Sequence, residues 1–432
     1  MQLLKFISCF FLSCLCAKNI FGQPKTDTLL QNILLAGKDS ILQQVLQHPE
    51  VYRFQIIYTQ INRDKNNKPS FKNYYYNTDS LLYFNPASTV KLPLALLALE
   101  KLNNINPGGV NKYTSIQYDS SYSGQTTEYT DSTSANGLPS IAHFIKKAFL
   151  VSDNDAYNRL YEFTGQQTIN KMLHTKGYSD VRITRRFMGM TEDENRHTNK
   201  IRFIDHDDSL LYAQPPAYNT DSFDFSHIVK MGKAHYDRND SLVNAPFDFT
   251  KHNNISLEDL QQILQSVLFP ESVPEQQRFN LKREDYKFLY QYLSQYPSET
   301  NYPKYDSASY YDSYVKFFFK NGGHQIPSNI RVFNKVGWAY GSMTDVSYIA
   351  DFKNKVEFML AVNIYVNSDG ILNDNKYDYD EIGYPFFYQV GQTMYQYELH
   401  RPRSYKPNLS DFKIKYEHRE ADARPVLKEV DN

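Results

Sequence analysis

Apolar residues fall at helical spacing from Thr28 to Gln47 (Leu29, Leu30, Ile33, Leu34, then Ile41, Leu42, Val45, Leu46), with Gly37 placed to interrupt the run. The period then changes to two. Tyr52, Phe54, Ile56 and Tyr58 alternate within Val51 to Ile61, and Phe71 to Tyr76 returns as a second strand after the Lys65-Asn66-Asn67-Lys68-Pro69 turn. From Asn85 to Leu102 the pattern predicts a helix, with Asn85 as its cap and Pro86 at its first position. Beyond Lys91 that segment is apolar on nearly every side, which predicts burial in the centre of a large domain, and Pro93 inside it predicts a slight kink.

Asn103 to Gly137 is polar and predicts a long loop. Three helices follow: Leu138 to Val151, Asp155 to Phe163 ended by Gly165, and Gln167 to His174 ended by Gly177. Periodicity fades from Thr184 to about Lys251, where a loop with one short helix (Ser222 to Tyr236) is expected. Helices over Leu257 to Leu268, capped by Ser256, and over Leu281 to Tyr296 precede three β-rich runs: Ile330 to Lys335, Val346 to Asp351 and Val356 to Val366. Phe386 to Tyr397 reads as a closing helix.

Strands at both ends with helices between predict an α+β fold. A sheet lobe (23–84 and 255–400) would be built from distant segments, and a mainly helical lobe (85–254) inserted into it. Residues 401–432 are charged and weakly apolar, and predict a mobile tail.

Composition narrows the class. A formal net charge of −1 gives no basic excess for a nucleic-acid partner. Residues 1–22 read as a secretory signal: Lys5, a short apolar run from Phe6 to Ala17, and Gly22 before a cut at Gln23. Soluble export to the periplasm or cell envelope is the expectation. Leu12-Ser13-Cys14 also resembles a bacterial lipobox, which would make Cys14 a lipid anchor. The run is too short to span a membrane, and no later one is longer. All three cysteines lie in this leader, so a mature chain cut at Gln23 has neither disulfide nor thiol chemistry. The 36 tyrosines read as surface and interface residues. Asp205-His206-Asp207-Asp208 could hold a metal but reads as a solvated loop, and the acidic run Asp374, Asp378, Asp380, Glu381 does not match a calcium loop. No metal and no cofactor are expected, and oligomeric state is left open.

Three short motifs carry the chemistry. Ser88-Thr89-Val90-Lys91 puts a hydroxyl and an amine three residues apart on one helical face. Ser152-Asp153-Asn154 lies at a joint between two predicted helices, and Lys335-Val336-Gly337-Trp338 lies on a predicted strand. In this order and these contexts the three resemble the motifs of the penicillin-recognising serine hydrolases, most closely class A β-lactamases. The resemblance spans about Gln23 to Tyr397. It implies a β-lactamase/transpeptidase-like fold with an antiparallel five-stranded sheet. It also implies a small-molecule β-lactam or peptidoglycan-like substrate. Ser88 would be the acylated nucleophile and Lys91 its general base, with a pKa lowered by burial and by Lys335. Ser152 would relay a proton to the leaving nitrogen, Asn154 would bind the substrate amide, and Asp153 would be structural. Lys335 would attract a substrate carboxylate. The backbone N–H groups of Ser88 and Trp338 would form the oxyanion hole, and Gly337 would join Asn154 and Trp338 in binding the substrate.

Three departures qualify the resemblance. Val336 stands where the family usually has threonine, removing a hydroxyl donor to the substrate carboxylate. Glu192 and Glu194 are the candidates for the deacylating glutamate, but neither lies in a clean match. The stretch between Ser152 and Lys335 is long, which predicts an insertion at about 199–251. The function expected is class A-like β-lactam hydrolysis; a D,D-peptidase or esterase-like penicillin-binding protein, or a silent envelope protein on the same fold, are the alternatives.

Overall fold

The computed structural model describes residues 24–106 and 108–429. The expected leader and Cys14 lie outside the described residues. The chain opens with α1 (Thr28–Leu35), α2 (Ser40–Gln47) and a single turn, α3 (Pro49–Tyr52), then enters β1 (Gln55–Arg63) and β2 (Pro69–Tyr76). A 3-10 turn, Ala87–Val90, leads into α4 (Lys91–Ile105). After β3 (Ser115–Asp119) come α5 (Ile141–Leu150), α6 (Asn154–Thr164), α7 (Gln166–Thr175) and the short α8 (Glu192–Arg196). Six brief strands follow: β4 (Lys200–Ile204), β5 (Leu210–Gln214), β6 (Lys230–Met231), β7 (Ala234–Tyr236), β8 (Leu242–Val243) and β9 (Phe247–Asp248). The chain closes with α9 (Leu257–Leu268), α10 (Arg283–Ser294), α11 (Phe317–Lys320), β10 (Ile330–Ala339), β11 (Ser342–Asp351), β12 (Val356–Tyr365), β13 (Ile371–Leu372) and α12 (Tyr384–His400).

The expected α+β architecture is present. Five antiparallel strands form one sheet in the order β10-β11-β12-β1-β2. Alternation along each strand divides the core in two. Ile57, Phe333, Val346, Tyr348 and Met359 face α4, α5, α9 and α10, while Ile56, Val332, Val336, Leu360 and Val362 face α1, α11 and α12. β11 and the first nine residues of β12 are buried at every position, as strands covered on both faces must be.

Several expectations are corrected. The central helix begins at Lys91, not Asn85. Ala87 takes a left-handed φ of 44°, and Thr89 N–H bonds Pro86 C=O at 3.0 Å, so the motif serine sits in a 3-10 turn. Asn85 still caps that turn, its Oδ1 accepting from Ala87 N–H at 2.9 Å. Pro93 therefore falls in the first turn of α4, where a missing N–H costs little, and the kink loses its cause. The polar stretch 103–137 contains β3, which pairs with β4 from Ser115↔Ile204 to Asp119↔Lys200. The helix expected over Ser222 to Tyr236 is absent. Its backbone pairs outward instead, β6 with β9 and β7 with β8 and β13, and Gly232 between them takes a φ of 74° that a helix excludes. The tail is not loose: Leu409 and Phe412 are buried, and Glu417 pairs with Lys146 at 2.8 Å. Leu409, Phe412 and Ile414 join the main core, and Leu427 packs beside Tyr305 and Tyr310. Among the described residues, no helix is long and apolar enough to cross a membrane.

Candidate active site

α4 is the spine of the site. Eleven of its fifteen residues are buried, including Lys91, so its first turn has a fixed position. Lys91 Nζ lies 2.8 Å from Ser88 Oγ, 2.7 Å from Asn154 Oδ1 and 3.3 Å from Ser152 Oγ, and it also donates to the Ser152 carbonyl. Ser152 terminates the loop after α5 with a left-handed φ of 66°, an uncommon geometry for a side-chain-bearing residue and one that clusters at functional sites. Asp153 caps α6, accepting from Ala156 N–H at 2.8 Å, which fixes both neighbours in its motif.

From the opposite lobe, β10 brings Lys335, whose Nζ lies 2.9 Å from Ser152 Oγ. Pairing with β11 (Lys335↔Val346, Gly337↔Thr344, Trp338↔Met343) holds this edge strand in register. Gly337 lies hard against the nucleophile's turn. A Cβ there would sit 2.5 Å from Pro86 O, 2.8 Å from Thr89 N and 2.9 Å from Ser88 N, so only glycine fits. Trp338, next along, stands in the cavity wall, its ring edge-on to Phe317 at 5.7 Å and Tyr314 at 6.2 Å. The structure thus brings together Ser88, Lys91, Ser152, Asn154, Lys335, Gly337 and Trp338. Asn154 already accepts from Lys91, so it helps aim the amine as well as facing the cavity. Val336 is fully buried with the α11–α12 layer and offers no polar group.

The electrostatics follow from burial. Lys91 is held well below the ordinary lysine range, first by desolvation and then by the Lys335 charge. Lys335 is pushed down to about 7 by desolvation, with Asp345 opposing and buried Lys316 adding to the effect. A neutral amine 2.8 Å from a serine hydroxyl can take its proton. The Phe187 ring lies over Lys91 Nζ at 5.1 Å and stacks on Tyr157 at 4.2 Å, further shielding the amine.

Glu192 and Glu194 stand elsewhere. Glu192 pairs with Lys251 at 2.8 Å on the exposed surface. Glu194 closes the capping box of α8 with Thr191 and bonds Ser123. Neither lines the cavity containing Ser88. Asp205, His206 and Asp207 bring ligand atoms within 4.8 Å of one another on the exposed β4–β5 turn, where Asp205 already accepts from Asp207 and Ser209 N–H.

Residues 39–209 match the family model described as the β-lactamase enzyme family. The match includes Ser88, Lys91, Ser152 and Asn154 and stops short of Lys335. Similar solved structures include a β-lactamase from Sphaerobacter thermophilus (14% identity, TM-score 0.45, covering 84% of this chain and 98% of that one). Others are the TLA-1 extended-spectrum β-lactamase (13%, 0.46, 84% and 99%) and a β-lactamase from Burkholderia vietnamiensis (11%, 0.47, 85% and 99%). No curated protein matches.

The cavity above Ser88 measures about 710 Å³, and part of its lining comes from the 199–251 segment. β7 pairs in parallel with β13, and Asn373 Nδ2 bonds Tyr236 O at 3.0 Å, tying the segment to the loop after β12. His235, Tyr236, Arg238 and Phe247 thereby line the same cavity as Ser88, joined by Arg185 and His252. Sequence reasoning missed all six, because nothing in a weakly periodic segment signals which residues a distant strand will fold over a site.

Proposed function

We propose that the protein is a serine acyl hydrolase acting on β-lactam amides through a Ser88 acyl-enzyme, with Lys91 as general base. The observation that carries this is the 2.8 Å contact between Ser88 Oγ and a fully buried Lys91 whose pKa burial lowers. Lys91 takes the Ser88 proton as Oγ attacks the carbonyl carbon. The oxyanion forms against the N–H groups of Ser88 and Trp338, in the gap that Gly337 leaves. Ser152, bonded to both lysines, passes a proton to the leaving nitrogen. Water then releases the acyl group. The export expected from the leader fits substrates met outside the cytoplasm.

A D,D-peptidase-like penicillin-binding activity is the second reading, and the positions of Glu192 and Glu194 favour it. With both carboxylates outside the cavity, Lys91 is left to activate the deacylating water, and the acyl-enzyme is expected to be long-lived.

The test is incubation of the purified protein with a penicillin and a chromogenic cephalosporin, followed by intact mass and absorbance. Turnover that vanishes in Ser88→Ala supports β-lactam hydrolysis. A stable adduct on Ser88 without turnover selects the second reading. Neither adduct nor turnover overturns both.

A further inference from the structure

The cleft is cationic at both ends. β10 runs along it from Lys335 through Trp338 to Ala339, about 13 Å at 3.3 Å per residue, and Tyr340 follows in the turn to β11. Arg185 stands at the Tyr340 end. Its Nη1 bonds His252 Nε2 at 2.6 Å, and the His252 ring meets Tyr340 edge-on at 6.3 Å. Its backbone is pinned as well: Arg185 N–H donates to Asn253 Oδ1 at 3.1 Å, and its carbonyl accepts from the Tyr157 hydroxyl at 2.8 Å. Burial, then the Arg185 charge itself, holds His252 down to about 3, so the imidazole is a neutral acceptor and leaves the guanidinium charge uncompensated.

Among the described residues, no carboxylate lies within ion-pair distance of Arg185 or of Arg238, the second arginine lining this end. Asp237 is the one carboxylate in the lining, and its Oδ1 already accepts from Asn239 N–H at 2.8 Å and Ser241 N–H at 3.0 Å. A half-buried guanidinium, held rigidly against the cavity with no carboxylate at ion-pair distance, is built to receive a planar anion in its fork.

Ser152 and Lys335 mark the leaving-group side of Ser88, so the opposite end takes the acyl side. We propose that the cleft binds acyl donors whose acyl side chain carries a carboxylate, and that Arg185, oriented by His252, is the residue that selects them. The assignment of this end to the acyl side rests on the Ser88 mechanism above; the charge preference itself does not.

The test uses binding, not turnover. Trp338 is the only tryptophan in the chain and lines the cavity, so its fluorescence reports occupancy. The full chain carrying Ser88→Ala is titrated with N-glutaryl-D-alanine and with the analogue whose glutaryl carboxylate is a carboxamide. The carboxylate is expected to bind about tenfold tighter or more, and Arg185→Gln in the same background to bring the two within about twofold while the carboxamide's affinity holds. Equal affinities in the parent, a preference that survives Arg185→Gln, or no binding of either probe overturns the proposal. Should Arg185→Gln lose both probes, Arg185→Lys decides: a retained preference supports it, and a lost one overturns it. Acylation of Ser88 in the unsubstituted chain, measured separately, reports on the mechanism alone.

Discussion

Lys335 helps to set the protonation of Lys91, while its own follows from burial, Asp345 and Lys316. In the proposed mechanism Lys91 acts as a base only when neutral, so its contribution rises as pH climbs through its lowered pKa. Lys335 attracts an anion only when charged, so its contribution falls as pH climbs through about 7. The free-enzyme profile of kcat/KM is therefore expected to be bell-shaped, with an alkaline limb near pH 7. Arginine does not titrate in this range. Lys335→Arg is expected to abolish that limb while leaving the acid limb in place, read as the acylation rate of Ser88 against pH; a limb unmoved by the substitution would assign it to another group. At this scale the sequence was informative. Ser88, Lys91, Ser152, Asn154, Lys335, Gly337 and Trp338 all sit in short motifs whose residue types are dictated by chemistry. Arg185 and His252 were not legible, since an arginine in a structureless stretch carries no sign of the histidine 67 residues on that will hold it.

Elements with local causes were legible and those with remote causes were not. α9 has the predicted bounds because Ser256 caps it, accepting from Asp259 N–H, and its apolar period is unbroken. β3 escaped because it is a strand only by virtue of β4, which lies some eighty residues further along the chain. α8 shows how local chemistry can mislead. Its Glu192-Asp193-Glu194 run suggested a catalytic carboxylate, yet Glu194 is spent on the N-terminus of that helix. Neither Glu194→Gln nor Glu192→Gln is expected to lengthen the life of the acyl-enzyme. Mass spectra after a penicillin pulse check this; an adduct that accumulates in one variant would return that glutamate to the mechanism.

Across the whole molecule, residues 401–429 are a strap, although their composition suggested otherwise. Phe412 inserts among Phe269, Tyr290, Phe333 and Tyr348, with ring centroids 4.8–5.5 Å away. Farther on, Leu427 bridges back beside Tyr305, with Leu427 N–H on Lys304 O at 2.8 Å. Phe412→Ala is expected to cost about 3–5 kcal/mol in denaturant unfolding; a loss under about 1 kcal/mol would mean that the strap contributes little.

The place of β1 in the sheet has a consequence for how the protein is made. β1 lies between β2 and β12, with Gln55 opposite Asn363. As the chain emerges from the ribosome, β1 and β2 can form only an isolated hairpin, and one edge of β1 waits for some three hundred further residues. Such distant pairing is slow and leaves an unpaired strand edge open to aggregation. If the chain is exported, as its leader suggests, the same delay is useful: the sheet cannot lock before β12 exists, so the chain stays threadable until then.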